Sequence, residues 1–130
     1  MKLTSSATVF LFSLFLLQAC NNQKPQGSTT CFKGRLEIAG ICSNYTIKLL
    51  EGALDTSRIA ATWTDENTGK AYSNVFALGS PCSFPASLKA GDEFYFVLDA
   101  TEQKCAVCMA YYPKPQKSLS IKVLDKPCNQ

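Results

Sequence analysis

The stretch Phe94-Tyr95-Phe96-Val97-Leu98 decides the fold class, because aromatic and β-branched residues dominate it. Such residues favour extended strands, and a run without a polar interruption is typical of a strand covered on both faces. The turn-forming residues Ala90-Gly91-Asp92 come directly before it. We therefore predict that residues 94–98 form the central strand of a β-sheet.

Stretches of alternating polar and apolar residues surround this strand. The alternation is clear in Arg35-Leu36-Glu37-Ile38, in Thr46-Ile47-Lys48-Leu49 and in residues 118–123. A period of two predicts strands that bury one face.

A hairpin is predicted between these strands. Residues 59–64 and 70–78 have strand patterns, and the sequence Asp65-Glu66-Asn67-Thr68-Gly69 between them is typical of a tight loop. Asp65 and Glu66 are adjacent carboxylates, but neighbours on an extended chain point to opposite sides and share a proton poorly. We expect both to be solvated turn residues.

Six or seven short strands at regular spacing, with no confident helix, predict a single all-β domain over residues 31–130. The preferred architecture is a small antiparallel Greek-key barrel of the oligonucleotide/oligosaccharide-binding (OB) type. An immunoglobulin-like β-sandwich is the alternative.

Cysteines are the next constraint on this domain. It holds an even number of them, namely Cys31, Cys42, Cys82, Cys105, Cys108 and Cys128. In a small exported domain this predicts three disulfides, although the sequence does not choose their pairing. A zinc site of four thiolates would need two closely spaced pairs, and only one such pair is present.

That close pair, Cys105 and Cys108, begins an apolar run that ends at Pro113. We predict that residues 105–112 form a strand in a hairpin with residues 118–124, with a helix as the alternative. In a strand the two α-carbons lie about 10 Å apart, beyond the reach of a disulfide, so the pair is predicted not to bond to itself. In a helix the pair would be close enough to bond to itself and to carry out thiol-redox chemistry. On a separate hypothesis, the two thiolates and the Met109 thioether offer soft ligands to copper(I).

The N-terminus carries an export signal. Lys2 precedes an apolar run over residues 7–17 that is too short to span a bilayer and ends in Leu17-Gln18-Ala19-Cys20. This ending resembles the lipobox of bacterial lipoproteins, in which the cysteine is acylated and becomes the mature N-terminus. An ordinary secretory signal and an uncleaved anchor are the alternatives.

The lipobox resemblance implies that residues 1–19 are removed and that Cys20 carries the lipid, including palmitate-like acyl chains. The polar residues 20–30 are then a flexible tether, because they bury too little apolar surface to order themselves. Asn21 stands where Asp resembles an inner-membrane retention signal, which favours an anchor in the outer membrane of the cell envelope.

The composition argues against several classes of function. The net charge is only +3, with no long run of like charge, so we expect no nucleic-acid partner. The absence of histidine removes catalytic triads and the usual mixed zinc ligand sets, and we expect neither an enzyme nor a cofactor.

Aromatic residues are the remaining candidates for a site. Trp63, Tyr72, Tyr111 and Tyr112 are candidates for a surface that binds a glycan or an envelope protein, although aromatics in a β-rich domain more often pack in the core. The leading interpretation is a non-catalytic binding or structural module. A thiol-redox or copper-handling protein and an inhibitor of a hydrolase or lysozyme are the alternatives.

Overall fold

The computed structural model describes residues 30–128 of the chain. The predicted signal peptide, the lipidation site Cys20 and all of the predicted tether except Thr30 lie outside the described residues. Within residues 30–128, no helix has the length and hydropathy needed to cross a membrane.

The described residues form strands and two short 3-10 helices, which confirms the all-β prediction. The seven strands are β1 (Cys31–Ala39), β2 (Tyr45–Glu51), β3 (Ala60–Thr64), β4 (Ala71–Leu78), β5 (Glu93–Leu98), β6 (Ser118–Leu119) and β7 (Ile121–Leu124). The 3-10 helices cover Ile41–Ser43 and Pro81–Ser83.

All seven strands belong to one sheet. Its order is β3-β4-β2-β1-β5-β7 with antiparallel neighbours, while β6 pairs with β4 in parallel. Only Ser120 separates β6 from β7, so the last strand segment changes partner at this residue. The strand order as a whole is open and not that of a closed barrel, and the parallel pair departs from the purely antiparallel expectation.

The core lies on one face of the sheet, with Phe96 at its centre. The ring of Phe96 lies 5.4 Å from that of Phe32, 5.9 Å from that of Phe76 and 6.0 Å from that of Phe94. A Cβ atom on Gly34 would lie 3.0 Å from the Phe96 ring, so β1 carries a glycine where this ring approaches. These contacts place phenylalanines of β1, β4 and β5 around one ring.

The prediction that β5 is covered on both faces is wrong. Phe94 and Phe96 are buried, but Tyr95 and Val97, which alternate with them along the strand, are only half-buried. The strand therefore buries one face, like its neighbours, and β1 is the more central strand because three strands precede it in the sheet order and two follow it. An uninterrupted apolar run overstates burial when the outward residues are tyrosine and valine, which also favour exposed strands.

The six domain cysteines form three disulfides, as predicted. The pairs are Cys31–Cys128, Cys42–Cys108 and Cys82–Cys105, with α-carbon separations of 5.8, 5.4 and 5.8 Å. The prediction that Cys105 and Cys108 do not bond to each other is confirmed.

The predicted strand over residues 105–112 is wrong, and so is the helical alternative. Residues 99–117 contain neither helix nor strand, and the expected hairpin partner pairs with β4 and β5 instead. A local pattern does not show which segments pair, and the strand expected beside residues 105–112 is taken up by β4 and β5. We call residues 99–117 the clamped loop.

Candidate ligand-binding surface

The clamped loop is attached at two points to other loops of the domain. Cys108 bonds to Cys42 in the first 3-10 helix, and Cys105 bonds to Cys82 in the second. The side chain of Gln103 adds to the second attachment, since its Oε1 accepts the Cys82 N–H at 3.0 Å and its Nε2 donates to Ser83 Oγ. The loop is thus positioned by covalent bonds and hydrogen bonds instead of by a sheet.

The β3–β4 hairpin faces this loop and carries two of the predicted aromatic residues. Trp63 and Tyr72 are opposite each other in the register, and their rings stack with centroids 5.8 Å apart. Lys70 Nζ lies 4.7 Å from the centre of the Tyr72 ring on the side of the hairpin loop. Such cross-strand pairs stabilise a hairpin, so both rings have a structural role as well.

Asp65 stabilises the hairpin loop. The expectation that it is solvated is wrong, because its side chain is buried. Its carboxylate accepts the Asn67 N–H at 3.1 Å and the Thr68 hydroxyl at 2.7 Å. A side chain that bonds to the backbone two residues on is typical of an Asx turn. This turn fixes the position of Glu66, which is exposed as predicted.

A groove of about 460 Å³ lies between the hairpin and the clamped loop, with Asn44 at the start of β2 also lining it. Trp63 and Glu66 line it from the hairpin, and Tyr111 and Tyr112 line it from the loop. The Tyr111 hydroxyl donates a hydrogen bond to Glu66 Oε2 at 3.1 Å, and this bond raises the pKa of Tyr111. The groove therefore joins residues far apart in the sequence.

Tyr112 is positioned by a glycine. A Cβ atom on Gly40 would lie 2.6 Å from the Tyr112 ring and 2.6 Å from the Asn44 carbonyl oxygen, closer than real contacts allow. The next residue along the loop, Pro113, is buried, as is Pro115. Tyr112 and the prolines therefore pack this part of the loop onto the body of the domain.

The apolar residues of the loop that do not pack are exposed. Among the described residues, the large apolar side chains with the highest exposed fractions are Ile41 (59%), Val107 (55%), Met109 (94%) and Tyr111 (78%). Ile41 precedes Cys42, which bonds to Cys108, so all four lie at the end of the molecule that carries the groove. Contiguous exposed apolar surface is typical of interaction sites.

A larger cleft of about 650 Å³ lies beside the Cys31–Cys128 disulfide and is lined by Lys33, Glu51 and Tyr95. Lys33 Nζ lies 3.7 Å from a Glu51 oxygen at its rim and 2.7 Å from a Glu93 oxygen. The hydrogen bond to Lys33 lowers the pKa of Glu93 and raises that of Lys33. Because the chain continues from this cleft into residues outside the described range, we place no ligand in it.

The comparisons with known proteins were made with family models, curated proteins and solved structures. None of them matches this chain.

The structure brings three of the four predicted aromatic residues together. Trp63, Tyr111 and Tyr112 line the groove, whereas Tyr72 stacks behind Trp63 and does not line it. The sequence interpretation missed Asn44 and Gln116 as groove residues. No local sequence pattern indicates either residue, because only the folding of distant segments against each other brings them to the groove.

The Cys105 and Cys108 sulfurs are both held in disulfides to other loops. In the oxidised protein neither is a thiolate, which a copper(I) site or an attacking redox thiol requires. No group of three or more metal-ligating residues is present within residues 30–128.

Proposed function

We propose that this chain is a lipid-anchored, non-catalytic binding module of the bacterial cell envelope. The observation that carries the proposal is the groove with its exposed apolar surroundings at one end of the domain. The lipobox-like sequence ending in Cys20 supports the anchor, and three disulfides suit an oxidising compartment outside the cytoplasm.

We also propose that the fold is a partly open barrel of the OB type. The strand order β4-β2-β1-β5-β7 and the parallel β4–β6 pair support this, because the segment with β6 and β7 reaches both β4 and β5 across Ser120. In OB folds, ligands bind between the loop after the first strand and the loop before the last. The groove lies in the corresponding place, between Asn44 and the clamped loop.

Cys31, where the tether enters the domain, and the groove are at opposite ends of β1. The lipidated tether leads into Cys31, at the start of a strand of nine residues. At about 3.3 Å per residue, the end of this strand lies about 26 Å away, where Gly40 contacts Tyr112. The tether therefore enters the domain far from the groove and does not cover it at its point of entry, which suits a binding module.

The binding proposal is tested with a chain that begins at Asn21 and is exported without lipidation. It keeps all three disulfides and the described core, which lie within residues 30–128. We expect it to sediment with isolated envelopes of the producing bacterium, and Trp63→Ala to abolish most of this binding. Tyr95→Ala, an aromatic truncation outside the groove, is the matched control. Equal sedimentation of Trp63→Ala and Tyr95→Ala would refute a groove-dependent binding function.

The anchor is tested separately through Cys20. Labelled palmitate should enter the native protein but not Cys20→Ser, and density fractionation should recover the label with outer membranes. Incorporation into Cys20→Ser, or none into the native protein, would disprove lipidation at this residue. Label recovered with inner membranes would disprove only the outer-membrane assignment.

A second candidate function is inhibition of a hydrolase. Met109 is 94% exposed and directly follows Cys108, whose disulfide restrains the loop. A restrained, protruding apolar side chain is suited to enter an enzyme cleft, because little conformational freedom is lost on binding. The test is inhibition of lysozyme and of serine proteases with apolar specificity pockets. Met109→Glu should abolish any inhibition, while Lys117→Glu, which makes a larger change in charge elsewhere on the loop, should not.

A further inference from the structure

The groove between the hairpin and the clamped loop has a lining that distinguishes classes of ligand. Trp63 is half-buried and Tyr111 is exposed, so each presents part of its ring to a ligand. Asn44, Glu66 and Gln116 add amide and carboxylate groups to the same space. The volume of about 460 Å³ is in the range of sites for small ligands.

The charge of the lining excludes strongly anionic ligands. Glu66 is its one carboxylate and Lys114 its one ammonium group, so the formal charges cancel. Nucleic acids and other phosphate-rich ligands need several cationic contacts, and one lysine beside a carboxylate does not supply them. The lining is also too polar for a purely apolar ligand, because burying its amides without hydrogen bonds would be unfavourable.

We propose that this groove binds an uncharged oligosaccharide. A sugar ring has a C–H face that packs on an aromatic ring and a rim of hydroxyls that both donate and accept hydrogen bonds. Trp63 and Tyr111 offer the ring surfaces. The Asn44 and Gln116 amides donate and accept, and Glu66 accepts. This inference rests on the proposed binding function and names its ligand class.

Glu66 is already oriented for this role. Its Oε2 accepts the Tyr111 hydroxyl at 3.1 Å, and the Asx turn at Asp65 holds the backbone before it. A preorganised acceptor loses less conformational freedom when the ligand binds. The two disulfides restrain the opposite wall in the same way.

The test uses Trp63, which is the single tryptophan of the chain, as its own probe. The chain that begins at Asn21 is titrated with hexasaccharides of N-acetylglucosamine, glucose in β-1,4 linkage, glucose in α-1,4 linkage and xylose. We expect at least one of them to change the Trp63 emission saturably. By calorimetry, Trp63→Ala should weaken its binding about tenfold or more, and Tyr95→Ala should leave it unchanged.

A variant on the opposite wall keeps the test decisive if Trp63→Ala does not fold. Gln116→Ala changes an exposed residue of the clamped loop, and we expect it to weaken the same sugar severalfold. Sugar binding that survives both changes would place the site elsewhere and overturn the inference. If no sugar binds but the protein still sediments with envelopes through Trp63, the carbohydrate inference fails, and the binding function stands with another envelope component as the ligand. If envelope binding is absent too, both proposals fail.

Discussion

The sheet and the clamped loop are two regions of one small domain that are held by different interactions. The sheet buries its apolar residues around Phe96 and contains the described core. The clamped loop leaves Val107, Met109 and Tyr111 exposed and is joined to the domain by two disulfides. Apolar residues therefore have different roles in the two regions. In the sheet they are buried and stabilise the fold, whereas in the loop they are exposed and can contact a partner.

The largest expected effect tests the core side of this comparison. Phe96→Ala removes a fully buried ring that contacts three other phenylalanines. We expect the free energy of unfolding to fall by about 3–5 kcal/mol in urea denaturation, because a cavity remains. Val107→Ala in the loop is the control and should change it by less than about 0.5 kcal/mol. Similar losses for both variants would contradict the division into two regions.

The second-largest expected effect tests how the disulfides hold the clamped loop. Replacing Cys82 and Cys105 with Ser removes a bridge across 23 residues, which should lower the free energy of unfolding by about 3 kcal/mol. Limited proteolysis should then cut first within residues 99–117, while the sheet stays intact. Replacing Cys31 and Cys128 with Ser is the matched control, and its first cuts should fall outside the loop. First cuts within β1 or β5 of the Cys82 and Cys105 variant would show that the loop is not a separate region.

A smaller, stabilising effect is expected at a polar defect in the sheet. Thr46 is fully buried, and its Oγ1 has no hydrogen-bond partner among the described residues. Thr46→Val keeps the shape and removes the unpaired hydroxyl, so the free energy of unfolding should rise by about 1 kcal/mol. Thr62→Val on the exposed side of β3 is the control for strand preference. A clear loss of stability in Thr46→Val would mean that the hydroxyl is bonded.

The smallest effect concerns the exposed ion pair of Lys33 and Glu93 on the outer face of the sheet. The hydrogen bond from Lys33 lowers the pKa of Glu93 below its usual value of 4.5, so the folded state favours the charged form. This contribution is complete above the usual pKa and is lost as the pH falls through the lowered one. Glu93→Gln should therefore flatten the decline of the urea midpoint in acid. An unchanged acid profile would show that the pair is screened by solvent.

Local pattern predicted the sheet well. The alternating segments 35–38 and 46–49 lie within β1 and β2, because burial of one face imposes a period of two on a strand. Residues 70–78 and 94–98 agree with the bounds of β4 and β5 within one residue, because their β-branched and aromatic residues favour strands. The even number of cysteines also predicted three disulfides correctly. These features depend on neighbours in the chain and on composition, which a sequence displays directly.

The site itself was only partly predictable. Its aromatic residues were named from composition, but nothing in the sequence indicates that Tyr111 meets Glu66 across 45 positions. The conformation of residues 105–112 was wrongly predicted for a related reason. An apolar run indicates burial only if a neighbouring surface is free to receive it, and the pairing of Ser118–Leu119 with β4 and of Ile121–Leu124 with β5 left these residues without a partner strand.

The sequence by itself determined the class of fold, the number of disulfides and the positions of the main strands. The tertiary structure decided which cysteines pair, which strands are neighbours and where the groove lies. The physical reason is that strand patterns and cysteine counts are local or compositional. Partner choice, in contrast, depends on which distant groups the folded chain brings within bonding distance, and many pairings are compatible with one pattern.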